Sequence, residues 1–270
     1  MPLSYSQLQL YRRCPRQYEF AVVKHVKRPI SPGESFGSSM HNTMKKWGGL
    51  ELEESGQSPD TEQVQISLLP EEHHHGNAPR TRTLQTLRTL WRESLIGQGY
   101  ATRAEADAAL MRGDGILEET FRWWQQEPRN VIAVEKSFRL PLKGSTTPDI
   151  VITGRFDRVE KTDSGLRIID FKTTDPRSEQ DIENDLQLSI YALAAAEIWK
   201  EPVSELILLC MTEDGVTEQK TTRSTSQLKD AATMIRLLAE RIATGDYTPT
   251  PSVGVCRSCP FRHLCDVRAI

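Results

Sequence analysis

The chain contains no apolar run long enough to cross a membrane, no internal repeat and no G-x-x-x-x-G-K-[ST] loop. These absences exclude a spanning helix, a solenoid and a phosphate-cradling nucleotide motor. Positive charge is not in excess either: the formal net charge is −3 over 270 residues, which does not advertise a broad phosphate footprint. No signal-peptide pattern follows Met1, so the chain is expected in the cytoplasm and its five cysteines are expected as thiols rather than disulfides. With 37% hydrophobic and 26% charged residues, it has material for one large core or two small ones, and one core with additions is the simpler expectation.

What is present begins with residues 154 to 174, GRFDRVEKTDSGLRIIDFKTT. Residues 149–159 and 166–172 read as two strands rich in apolar and β-branched residues, separated by the turn signal Thr162-Asp163-Ser164-Gly165. Side chains alternate along a strand, so Asp170 and Lys172 share a face, and the hairpin sets Asp157 opposite Asp170. Two facing carboxylates repel unless a cation sits between them, and hard ions such as Mg²⁺ or Mn²⁺ take oxygen ligands of this kind. The neighbouring lysine would meet a phosphate or an attacking water. An isolated Asp-x-Lys is more often a charged strand end, so the reading depends on what accompanies it.

Asp157 followed by Asp170-Phe171-Lys172, within Gly154-Arg155-Phe156-Asp157-Arg158-Val159, resembles the PD-(D/E)xK nuclease superfamily and its RecB-type branch. Residues 181–200 carry Leu186, Ile190, Leu193 and Ala194 at helical spacing, with Asp181 as the expected cap. Gln187 and Tyr191, four apart, share a face of that helix. A Gln-x-x-x-Tyr pair follows the catalytic strand in RecB-type nucleases, so the resemblance implies that these two side chains position DNA. It also implies that His41, in a helix starting near Phe36, joins Asp157, Asp170 and the Phe171 carbonyl as metal ligands, with Lys172 orienting the attacking water. Glu135, on the strand before the hairpin, is read as a solvated strand residue, with a role beside the metal as the alternative.

The cysteines supply a second signal. Cys256, Cys259 and Cys265 form C-x₂-C-x₅-C near the C-terminus, and Cys14 stands alone in Tyr11-Arg12-Arg13-Cys14-Pro15. Three close thiolates need a fourth ligand for a tetrahedral zinc site or an iron-sulfur cluster, and Cys14 is the candidate, with His263 competing. The one-plus-three arrangement resembles the iron-sulfur nuclease domains of AddB and of CRISPR adaptation nucleases, which implies a structural [4Fe-4S] cluster joining both chain ends. Zinc is the alternative. Cys210, after the apolar run Leu206–Leu209, is expected to be a buried strand cysteine.

Elsewhere, Arg12, Arg13, Arg16, Lys24, Lys27 and Arg28, interleaved with Tyr11, Tyr18 and Phe20, offer either a strand-stacking surface or solvated charges around packed aromatics. Residues 51–80, with His73, His74 and His75, read as a mobile loop. Residues 81–124 read as a helical insertion in which Arg80, Arg82, Arg88 and Arg92 make a solvated helix face, with the wall of a DNA channel as the alternative. Strands are expected at 204–211 and 217–222, and a helix at 226–243.

The resulting expectation is an α/β, restriction-endonuclease-like core in one domain spanning residues 1–270, with a small mixed sheet flanked by helices. Within it lie a loop and helical insertion at 50–130, a catalytic core at 131–225 and a cluster-binding segment at 246–270. The implied activity is Mg²⁺- or Mn²⁺-dependent DNA exonuclease action on single strands or ends, in repair, phage DNA processing or CRISPR adaptation. A helicase or a CRISPR integrase would be the partner. The alternative is a catalytically silent module that holds DNA ends.

Overall fold

A computed structural model describes residues 2–56, 81–142 and 150–270. Six strands make one mixed sheet: β1 (Pro2–Ser4), β2 (Val131–Leu142), β3 (Ile150–Thr162), β4 (Gly165–Lys172), β5 (Val203–Thr212) and β6 (Gly215–Thr221). Their order is β1-β3-β4-β5-β6, with β2 pairing antiparallel along the other edge of β3. β1 runs parallel to β3 over residues 151–153, whereas β4 pairs antiparallel with residues 158–162. Gly154 to Asp157 therefore lie between two partners on the same edge of β3, and the catalytic chemistry must be sought at that interruption.

The β3–β4 hairpin closes at Thr162 opposite Gly165, tighter than the four-residue turn expected. Gly165 is obligatory there: its φ is +134°, and a Cβ would sit 2.3 Å from the Pro202 carbonyl oxygen. Gly154 is fixed by space instead, because a Cβ would meet the Phe138 ring at 2.3 Å.

Alternation along the central strands divides the apolar side chains between two helical layers. Leu166, Ile168, Leu206 and Leu208 face α1 (Tyr5–Arg13), α7 (Leu186–Trp199) and α8 (Thr225–Ala243). Ile169, Phe171, Ile207, Leu209 and Met211 face α3 (Pro32–Glu54), α4 (Leu84–Ser94) and α5 (Arg103–Trp124). Such two-sided burial is why β4 and β5 read as nearly continuous apolar runs. The region expected as an insertion is thus one of the two layers: Leu87, Trp91, Ile116 and Leu117 are fully buried in it.

Local signals set the helix limits. Ser4 and Ser31 each form a capping box, with Gln7 and Glu34, and Pro32 occupies the first turn of α3, devices worth about 1 kcal/mol per cap. The expected helix over 181–200 is split: α6 (Glu179–Glu183) is capped by Ser178, and α7 is capped by Asp185 rather than by Asp181. Leu188 N–H donates to Asp185 Oδ1 at 3.0 Å.

The loop expected from residue 51 begins later. α3 continues to Glu54, and Glu51 is buried, where it pairs with Arg158 and accepts from Trp124 Nε1 at 3.1 Å. Arg158, 1% exposed, also binds Glu160 through Nε at 2.7 Å. This buried network ties α3 to β3, and loss of one partner would strand a charge in the core. Residues 57–80, including His73, His74, His75 and Arg80, lie outside the described residues.

Candidate active site

The interruption in β3 is filled by side chains from both layers. From α3, His41 Nδ1 approaches Asp157 Oδ2 at 3.3 Å. Asp157 Oδ2 also accepts from the Phe171 backbone N–H at 3.0 Å, which fixes the end of β3 against β4 where ladder pairing stops. From α7, Gln187 Nε2 donates to Asp170 Oδ1 and to the Tyr191 hydroxyl, each at 2.9 Å. The Tyr191 hydroxyl lies 3.1 Å from both Asp170 Oδ1 and the Arg155 carbonyl oxygen, one of the acceptors left by the interruption. Lys172 Nζ donates to Gln187 Oε1 at 3.2 Å and stands 2.5 Å from Asp170 Oδ2. That last contact is a close ion pair, and it makes Lys172 the partner of the buried Asp170 Oδ2.

Asp157, Asp170, Lys172, Gln187, Tyr191 and His41 are therefore brought together, and Phe171 joins them through its backbone while its ring packs into the α3 layer. Glu135, read as a solvated strand residue, is corrected by the structure: its carboxylate is 9% exposed and shares a ligand-competent group with His41 and Asp157, their donor atoms within 4.8 Å of one another. Its backbone is unusual. Glu135 has φ +52°, the left-handed region, in the middle of β2 opposite Asp157. Such strain in a non-glycine residue costs on the order of 1–3 kcal/mol and persists where the surroundings enforce it. It marks the point where the buried positions of β2 change parity, from Val131 and Ala133 before it to Phe138, Leu140 and Leu142 after it.

The electrostatics show carboxylates whose ionised forms are opposed chiefly by burial. Burial pushes the Asp170 carboxyl up to about 6, with Lys172 pulling it back and Asp157 adding to the rise. Glu135 is raised by burial, opposed by Arg155 and reinforced by Asp157. Burial draws the His41 imidazole down, but its hydrogen bond and charge contact with Asp157, with Asp170 beyond, leave it above its ordinary value. Tyr191 is driven well up by burial and by Asp170. Acids crowded in this way suit a hard divalent cation, which would share Asp170 Oδ2 with the Lys172 ammonium 2.5 Å away.

A second constellation lies at the chain ends. Cys14, Cys256, Cys259 and Cys265 line one small cavity with Phe20 and Val255 among its walls. Burial raises the Cys259 thiol, and Cys14, Cys265 and Cys256 are all close enough to raise it further. Tyr11 donates to the Asp246 carbonyl, Thr250 Oγ1 to the Arg13 carbonyl at 3.2 Å, and Phe20 packs on Phe261. These contacts hold the N-terminal helices against the C-terminal segment.

At two surfaces offered as alternatives for DNA, the structure pairs or buries several of the groups. Tyr11 and Tyr18 are buried, Tyr18 stacking on Tyr247, so neither is open to a base. Arg16 and Lys24 pair with Glu19, and Arg28 pairs with Glu34. In the helical layer Arg82 binds Glu51 and Glu54, Arg88 binds Glu118 and Arg92 binds Asp114, so these arginines brace α3, α4 and α5 rather than line a channel.

The family model described as the PD-(D/E)XK nuclease superfamily matches residues 2–266. The chain belongs to that superfamily. Membership indicates nuclease activity on DNA with divalent metals such as Mg²⁺ or Mn²⁺, and the group of His41, Glu135 and Asp157 offers a site for one. No curated protein matches. Among solved structures, one described as "Crystal structure of SSO0001" shares 15% identity over 98% of this chain and 96% of that chain, with a TM-score of 0.39. No helix among the described residues is long and apolar enough to cross a membrane.

Proposed function

We propose that the protein is a Mg²⁺- or Mn²⁺-dependent DNA exonuclease of the RecB/AddB type, acting in the cytoplasm on single strands or DNA ends in repair, phage DNA processing or CRISPR adaptation. The observation that carries this reading is the convergence of Asp157, Asp170, Lys172 and His41 with Gln187 and Tyr191 at the interrupted edge of β3. His41, Asp157, Asp170 and the Phe171 carbonyl would hold the ion, and Glu135 adds a carboxylate that the sequence pattern left out. When bound, the ion supplies a lowered pKa for its water and charge neutralisation at the phosphate.

The chain's own groups do the rest. Asp170 keeps one oxygen tied to Gln187 and Tyr191, so its other oxygen points in one direction without paying rotamer entropy at the moment of reaction. Lys172, bridging Asp170 and Gln187, places an ammonium where an attacking water or a phosphate oxygen would gather charge. Its flexible stem allows it to turn from carboxylate to phosphate. Removing Lys172 would leave the charge built up in the transition state without its nearest cation.

The four cysteines support a [4Fe-4S] cluster over zinc. The four thiols line one cavity, and the spacing C-x₂-C-x₅-C with a distant fourth cysteine is the feature that favours the cluster. A four-iron cluster in that cavity would staple Cys14 to the C-terminal segment. A helicase or a CRISPR integrase would bring DNA to such an enzyme.

Exonuclease action is tested by incubating the cluster-loaded protein with linear and covalently closed single-stranded DNA of one sequence in Mg²⁺ or Mn²⁺. Loss of the linear substrate alone is expected. Equal cutting of both would make the protein an endonuclease, and binding without cutting of either would favour the DNA-holding module.

A further inference from the structure

In front of His41 opens a cleft of about 820 Å³ bordered by Arg28, Ser38, Asn42 and Arg155. Arg155 stands two residues before Asp157 on β3 and is 58% exposed along its side chain, yet its Nε is held 2.5 Å from Glu135 Oε2. The same Glu135, delivered by strained backbone, lies within ligand distance of His41 and Asp157. One carboxylate therefore faces two claimants, a guanidinium on its cleft side and a divalent ion on its inner side.

We propose that Arg155 is a metal-released phosphate clamp: Glu135 retains it until a divalent ion engages His41, Glu135 and Asp157, and it then turns to a DNA phosphate in the cleft. This role presupposes the nuclease reading above and adds to it the order of events. A doubly charged ion takes up the negative charge that attracts Arg155 and repels the guanidinium itself, so the two cations compete for the same site. An exposed arginine reorients at little cost, and its planar fork matches a phosphate bidentately where a lysine cannot. By linkage the competition is reciprocal: whatever affinity Arg155 loses to the ion, the ion loses to Arg155. Removing Arg155 should therefore tighten metal binding while weakening DNA binding. A residue that only braces Glu135 would give the opposite sign for the metal.

The test uses the full, cluster-loaded chain as wild type, Arg155→Ala, Arg155→Gln and Asp157→Ala. Free Mn²⁺ is followed by its electron paramagnetic resonance signal without DNA, and binding of a labelled single strand is followed by anisotropy in Ca²⁺. The expected result is Mn²⁺ affinity about tenfold tighter in both Arg155 variants, within the usual range of coupling between sites, together with several-fold weaker DNA binding. Unchanged or weaker Mn²⁺ binding in Arg155→Ala and Arg155→Gln would overturn the release, and unchanged DNA affinity would overturn the clamp. Wild-type protein that binds no more Mn²⁺ than Asp157→Ala would instead overturn the nuclease reading itself.

Discussion

Replacing Asp170 by asparagine should abolish catalysis and yet stabilise the metal-free protein. Asp170 is buried and its carboxyl is raised from 3.8 to about 6, chiefly by burial, with Asp157 adding to the rise. A carboxyl whose folded pKa exceeds its unfolded value favours the folded state only when neutral, so stability is lost as pH rises from the lower value to the higher and stays lost above it. The rise is about two pH units, and at 1.36 kcal/mol per unit it amounts to roughly 3 kcal/mol at neutral pH. That figure already includes the opposing pull of Lys172. Asparagine has the shape of the neutral acid and can still meet Gln187 and Tyr191, so Asp170→Asn should recover most of it. For a chain of this size that means a Tm higher by about 5 to 10 °C in chelator-treated buffer at pH 7.5. His41 is raised as well, which has the same sign, so the wild-type Tm without metal should climb as pH falls from 7.5 to 5.5. Added Mn²⁺ should stabilise the wild type and leave the variant unmoved, because ligand binding to the folded state alone raises its stability. Differential scanning calorimetry of both proteins, with and without Mn²⁺, makes the comparison. A variant less stable than wild type in metal-free buffer would refute the view that this acid is held at a cost to the fold.

Three further outcomes follow from other parts of the molecule. Arg158→Leu strands Glu51 and Glu160 in the core and should cost about 3 kcal/mol by urea denaturation, at the low end for a broken buried pair because Arg82 and Arg129 remain beside those acids. Gly113→Ala gains about 1 kcal/mol of helix propensity, but its Cβ would meet the buried Trp91 ring at 2.2 Å. Overpacking of that kind costs about 1–3 kcal/mol, so a net loss is expected in the same assay. Protein purified without oxygen should be brown with broad absorption, and Cys14→Ser should lose iron and colour together; iron content equal to wild type would remove Cys14 from the ligand set.

Much of the candidate site was legible because its signals are local. Alternation, β-branched runs and the Asp163-Ser164-Gly165 turn determine the hairpin, and with it the facing of Asp157 and Asp170. Spacing of four set Gln187 beside Tyr191 on α7. The helix cap was misplaced because Ser178 and Asp185 cap two successive helices where apolar spacing suggests one. Glu135 was left between two readings, a solvated strand residue and an acid beside the metal, because the positive φ that sets its direction has no signature in V-I-A-V-E-K-S-F. Glu51 stood at the edge of a polar stretch, and only the buried Arg158, more than a hundred positions away, makes it a core residue. The arginines of α4 and the tyrosines of α1 and α2 (Pro15–Tyr18) likewise depended on partners distant in sequence, acids on α5 and Tyr247 near the C-terminus. Charge and aromaticity give the residue type of a surface, whereas burial depends on which element returns to cover it.

The central claim is that Asp170 and Lys172 sit in a hydrolytic centre. The most direct test is digestion of 5′-labelled and 3′-labelled single-stranded DNA with Mn²⁺ by cluster-loaded wild type, Lys172→Ala and Asp170→Asn, each checked for intact fold by circular dichroism. The expected result is a ladder of products from wild type and uncut DNA from both folded variants. Cleavage by either variant at the wild-type rate would contradict the assignment of the site.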